Sequence, residues 1–163
     1  IMIGTSETVF SPNSYVSKAQ IITIIARLAG ADLDTPVTVT GFTDVDPSAW
    51  YAAAAAWANV NGIVSGSKFD GNKAMTREEI AYVIYAYLAS VKKITVPSDT
   101  LLLYPTYDDS GFFNESYSYA IRYVRCLGIM NGVGENTFDP DGYVTRAQMA
   151  AIAMRLDTVN SGF

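Results

Sequence analysis

Three cations at one repeated position are the residues best placed to do chemistry: Lys18 in "VSKAQ" (16–20), Arg77 in "MTREE" (75–79) and Arg146 in "VTRAQ" (144–148). Each follows a hydroxyl residue, Ser17, Thr76 or Thr145, and each opens an apolar stretch. Gln20, Glu79 and Gln148 stand three places after those hydroxyls, which makes each stretch the start of a helix closed by a capping box. A cation in the first turn faces the positive end of the helix dipole, at a penalty of roughly 0.3–1 kcal/mol when exposed. Asp or Glu would serve the helix better there. Free N–H groups, the dipole and a cation together make an anion site. A solvated Arg, one stacked on a Tyr, or one paired with a carboxylate of the next repeat explains the same letters. The residues by themselves leave both readings open.

Other chemistries find little support. The 163 residues contain no His, the commonest general base and metal ligand, so no Ser–His or Cys–His nucleophile can form. Asp108–Asp109 and Glu78–Glu79 are adjacent in sequence, which is not the facing pair that glycoside hydrolysis needs. "DPDGY" (139–143) echoes part of a calcium loop but lacks the later ligands, and reads as a turn. Cys126 stands alone, without a disulfide partner or a zinc cluster. Neither catalysis, a metal nor a cofactor is expected.

Composition narrows the partner. Half the residues are hydrophobic and 17% are charged, so the chain can bury a core. A net charge of −5 argues against nucleic acid, so any anion must be held by local cations. The longest apolar runs, near residues 52–58 and 101–103, are far too short to enter a membrane. The start at Ile1 reads as that of a fragment or a processed product, so the missing signal peptide says nothing about export.

The elements that position the cations come from a repeat. Residues 1–20 lie over 129–148 without a gap, pairing Gly4 with Gly132, Phe10 with Phe138 and Val16 with Val144. The middle copy pairs Phe69 with Phe138 and Thr76 with Thr145, across a shorter turn. Upstream, "WANVNGIVSG" (57–66) matches "YVRCLGIMNG" (123–132), a half that the first copy lacks. Each full unit predicts helix, loop, helix. In the middle unit Asp46 or Ser48 is the expected N-cap and Gly62 the stop. Segments 31–41 and 92–106 predict connectors with short extended pieces, the second long enough to be an insertion with its own packing. "IITIIARLAG", "IAYVIYAYLAS" and "MAAIAMRLD" are apolar nearly all round, so these helices bury against one another. Phe10, Phe69 and Phe138 are expected as core plugs.

These letters resemble the S-layer homology family. "FTDVDPSAWYAAAAAWANVNGIVSG", the loop Phe69 and "MTREE" follow its pattern of F-x-D-V, a Trp, G-I-[IV]-x-G, Phe and T-R-A-E. "YDDSGFFNESYSYAIRYVRCLGIMNG" with "VTRAQ" is similar, with Tyr107 as its opening aromatic and Ser116 where the Trp stands. "GTSETVFSPNSYVSKAQ" resembles a second half only, with Lys in place of Arg.

The resemblance implies an all-α fold of helix-loop-helix repeats in a pseudo-threefold bundle with short irregular or extended connectors. Its units are 1–30 (second half only), 42–91 and 107–157, with 92–106 as connector, all packed as one domain. It implies a non-catalytic module that binds secondary cell-wall polysaccharide and holds a secreted protein on the bacterial cell wall. The alternative is a structural or self-association module of a surface-layer protein. Arg77, Arg146 and Lys18 would meet an anionic, pyruvylated-type sugar. Trp50 would either stack on that sugar or anchor its helix in the core, and Gly66 and Gly132 would let backbone N–H groups approach. Without a first helix in unit 1, the face of residues 21–29 is expected to be partly uncovered and to invite homo-oligomerisation.

Overall fold

A computed structural model describes residues 2–162 apart from 5, 7 and 105; the first expected unit thus begins on a residue outside the described set. The fold is all-α. The described residues form α1 (Lys18–Leu28), α2 (Ala52–Val60), α3 (Arg77–Ser90), the short α4 (Ser98–Leu102), α5 (Glu115–Cys126) and α6 (Arg146–Gly162). The capping boxes start the three repeated helices as their letters require. The Ser17 hydroxyl accepts from Gln20 N and the Gln20 side chain accepts from Ser17 N, and Thr76 pairs with Glu79 in the same way. Thr145 and Gln148 repeat the exchange. Gly62 and Gly128 end α2 and α5 at φ +67°, a left-handed value that suits glycine.

One local expectation needs correction. Asp46 does not cap α2; its side chain accepts from Ser48 in a turn that precedes the helix, which begins only at Ala52. The 92–106 connector has packing of its own. It carries α4, whose Leu101 is buried beside Ile94 and Val96, and Tyr123 on α5 donates to the Ile94 carbonyl at 2.8 Å.

Helix pairing runs between repeats rather than within them. α2 packs on α1, and α5 packs on α3. α1 sits centrally, also touching α3 and α6, and Ile21 to Ala26 are all buried. The face of residues 21–26 is therefore covered, contrary to expectation, because α2 lies on it, while Arg27 stays exposed. Among the described residues α6 is the repeated helix without such a partner, and its Met154 is 66% exposed.

The loops ahead of the helices close a ring. Lys18 N and Ala19 N donate to the carbonyls of Lys73 and Gly71. Arg77 N and Glu78 N donate to Gly142 and Pro140, and Arg146 N and Ala147 N donate to Ser14 and Pro12. Each helix start is thus satisfied by the loop of the next repeat, and the third returns to the first. Single bridges of antiparallel type between Ser17 and Ala74, Thr76 and Tyr143, and Tyr15 and Thr145 mark the three joints. The Phe plug in each loop is fully buried at Phe69 and Phe138, while Phe10 stays 38% exposed. The residue after each Phe, Ser11, Asp70 or Asp139, takes the same left-handed conformation at φ +54° to +61°.

Candidate functional site

The ring decides what the three cations do. Arg77 is buried, its Nε donating to the Phe138 carbonyl and its Nη2 to that of Asn131, both at 2.7 Å. Its guanidinium also lies 4.7 Å above the Phe138 ring. Arg146 repeats this with Phe10 O and Ile3 O, again at 2.7 Å, over the Phe10 ring. Burial pushes the Arg77 pKa down, with the carboxylates of Asp139 and Asp109 among the opposing influences. Lys18 lies over Phe69 at 5.2 Å, and burial lowers its pKa against the upward pull of Asp70 and Glu79. The expected helix-start anion site of free N–H groups is absent at these three starts, because loop carbonyls occupy the donors. Among the described residues, none of the three cations forms an ion pair with a carboxylate.

Clefts nevertheless lie beside all three. One of about 350 Å³ brings Arg146 to Gly4, Trp50 and, from α1, Gln20 and Arg27. Another of about 280 Å³ brings Arg77 to Gly132, Gln148 and Arg155. A third of about 240 Å³ sets Lys18 against Glu79, Tyr82 and Tyr117. These occupy equivalent places in the ring. Neither Arg77 nor Arg146 has an acceptor for Nη1, yet among the described residues only Asn160 Nδ2 is buried without a partner. Both Nη1 groups therefore keep some solvent access on residues that line the clefts, and each still carries two donors.

The clefts differ in charge. Among the described residues lining them, the first holds Arg27 and Arg146 and the second Arg77 and Arg155, without a carboxylate. The Lys18 cleft balances Lys18 and Lys73 against Asp70 and Glu79, and Lys73 Nζ meets Glu79 Oε1 at 2.8 Å.

Trp50 is 65% exposed, edge-on to Tyr51, so it lies outside the core and walls the Arg146 cleft. Gly132 lines the Arg77 cleft, but a Cβ there would collide with the Thr137 carbonyl inside the protein, which is sufficient reason for the glycine. Gly66 is not among the residues lining the Lys18 cleft, and its φ of +114° accounts for it.

Sequence reasoning missed Arg27 and Arg155, although the overlay of 1–20 on 129–148, if extended, pairs them. It also missed Asp44 and Asp109, which occupy matching places in the two full repeats. Asp44 accepts from Phe69 N and Asp70 N, and Asp109 from Phe138 N and Asp139 N, fixing the loops that hold the Phe plugs.

Residues 41–81 and 114–150 match the S-layer homology domain. The chain is 32% identical to an amylopullulanase of Thermoanaerobacterium thermosulfurigenes, over 93% of its own length and 8% of that protein. It is 27% identical to a cellulosome-anchoring protein of Acetivibrio thermocellus over 90% of its length and 33% of the relative. Cell surface glycoprotein 1 of the same species is 26% identical over 93% of this chain and 7% of its own. The chain thus spans a third or less of each of these relatives. Among the described residues, no helix is long and apolar enough to cross a membrane.

Proposed function

Because the chain carries tandem S-layer homology repeats, we propose that it is a non-catalytic module that anchors an exported protein to the bacterial cell wall by binding secondary cell-wall polysaccharide. On this reading residues 1–30, 42–91 and 107–157 are its three units, with 92–106 an insertion. An anionic, pyruvylated-type sugar is held in the clefts of Arg146 and Arg77, where Nη1 supplies the contact and Trp50 stacks on the ring beside Arg146. A surface location agrees with relatives named for anchoring and for the cell surface. The amylopullulanase name belongs to a protein of which this chain matches 8%, which supports assigning its catalysis to other domains.

The observation that carries this reading is the placement of two arginines at matching positions in each of two equivalent clefts, Arg27 with Arg146 and Arg77 with Arg155. Lys18 joins the set least well, because its cleft is internally neutralised.

Truncating Arg77 would leave two loop carbonyls unpaired and confuse binding with folding. Co-sedimentation with protein-free cell walls is therefore compared for the native chain, Trp50→Ala and Arg27→Gln/Arg155→Gln. All three changes lie on exposed side chains. Retention is expected to fall at least about tenfold in the double variant, as the loss of charge-assisted hydrogen bonds predicts. Undiminished retention of both variants would remove the proposed sites. The engagement of the motif cations by backbone carbonyls favours the alternative, a self-associating structural module. Concentration-dependent assembly without wall retention would select it.

A further inference from the structure

The α3–α5 pair carries an aromatic surface that the ring does not need. Tyr82 and Tyr117 face each other across the two helices at 5.2 Å, and Tyr85 meets Tyr119 at 5.3 Å. Tyr82 lies 6.4 Å from Tyr85, so the two cross-helix pairs form one continuous patch. Tyr82 is 38% and Tyr119 44% exposed, and Tyr82 and Tyr117 also line the Lys18 cleft. The patch therefore runs out of that cleft along the outside of the helix pair.

Internal symmetry provides a control. α1 and α2 make the same kind of pair, and there the positions of Tyr82, Tyr85 and Tyr119 are filled by Thr23, Ala26 and Ala53. Helix pairing in this fold thus proceeds without those rings. Tyr123 differs, being fully buried and bonded to the Ile94 carbonyl, which is a packing role. The exposed rings offer apolar faces with hydroxyls at their tips, the form that suits a ligand with both C–H faces and hydroxyl groups.

The adjoining cleft specifies the charge of that ligand. Its two lysines are matched by Asp70 and Glu79, with Lys73 bound to Glu79, so it presents little net field to an anion. We infer that Tyr82, Tyr85, Tyr117 and Tyr119, with the Lys18 cleft at their end, form a platform for uncharged sugar residues, separate from the anion-holding clefts. The inference deepens the polysaccharide reading: an anionic sugar occupies the arginine clefts, and a neutral stretch of glycan lies on the tyrosines.

The test uses purified secondary cell-wall polysaccharide in two forms, intact and stripped of its acidic substituents by mild acid. Affinity is measured by calorimetric titration for the native chain, for Tyr82→Thr/Tyr119→Ala, for Tyr82→Phe, and for Arg27→Gln/Arg155→Gln. The double tyrosine variant copies the residues of the α1–α2 pair, and its circular dichroism and melting curve check that it folds. The inference expects the native chain to bind the stripped polymer and the double tyrosine variant to bind it at least about tenfold more weakly, given two lost ring contacts. Tyr82→Phe keeps its ring and binds within about threefold of the native chain, and the arginine variant binds the stripped polymer unchanged. Binding of the intact but not the stripped polymer overturns the platform and leaves the anion sites standing. Equal binding of the stripped polymer by the native chain and the double tyrosine variant overturns it too. Binding of both forms that survives the arginine changes but is lost with the tyrosines removes the anion sites and leaves the platform, and binding of neither form overturns both.

Discussion

Arg77 and Arg146 show one side chain serving two neighbours. Nε and Nη2 hold two carbonyls of the adjoining repeat, the plane covers a Phe ring, and Nη1 keeps some solvent access. A planar fork with five donors on three nitrogens can do this, whereas an ammonium presents all its donors from one nitrogen. The third joint has Lys18, whose ammonium makes no hydrogen bond among the described residues and rests over Phe69. Lys18→Arg should therefore recover the fork, with the Phe69 and Ser65 carbonyls as acceptors by analogy with Phe138 and Asn131. A gain of about 1 kcal/mol is expected, read as a rise of roughly 2–4 °C in the melting temperature. An unchanged or lowered melting temperature would mean that the Lys18 joint differs from the other two in backbone as well as side chain. The cost of the cation at the helix start was legible in the sequence. Its remedy was not, since the acceptors lie 54 to 143 positions away along the chain.

Helix starts and stops were the most readable elements because caps are local. Ser17–Gln20, Thr76–Glu79 and Thr145–Gln148 behave as their letters require, and Gly62 and Gly128 stop their helices. Asp46 misled because an Asx turn and an N-cap use the same side-chain oxygen two residues ahead. Which helix packs on which was illegible: α2 is as apolar as any partner could be, and periodicity names a face without naming its neighbour. Loop anchoring was missed for a similar reason, since Asp44 reaches backbone 25 and 26 residues away. Its carboxylate lies below the ordinary value of 3.8 because Phe69 N and Asp70 N donate to it. A depressed folded value means that the stabilisation is present above about pH 4 and is lost as the pH falls through the folded pKa. Asp44→Asn keeps one acceptor oxygen and loses the other, at roughly 0.5–1 kcal/mol for a solvent-exposed site. Its stability deficit against the native chain is expected near pH 7 and should close in acid, once the native carboxylate is protonated in the folded chain as well, followed by urea denaturation from neutral into acid pH. A deficit that persists in acid would assign the effect to something other than the carboxylate.

At the scale of the whole molecule the three joints act as one closed set. Removing residues 1–10 deletes Phe10 O and Ile3 O, leaving the buried Arg146 guanidinium without its acceptors. A loss of about 3 kcal/mol is expected, which for a chain of this size lowers the urea midpoint by roughly 1–2 M. The effect should reach α1 and α3 as well as α6, seen as faster amide exchange in all three helices. Exchange quickened in α6 alone would mean that the corners open independently. The all-α class and the threefold plan were legible from repeated letters, whereas the direction of the ring, each start leaning on the next loop, required coordinates. That direction has an evolutionary corollary. Most tandem arrays grow or shrink by single copies, since an end can always accept another. Here the turn from one corner to the next brings the third copy home to the first, so among the described residues no helix start or loop joint is left for a fourth to engage. Gene duplication in such a lineage would have to proceed by complete triangles, and a single exchanged copy would have to suit both of its neighbours at once.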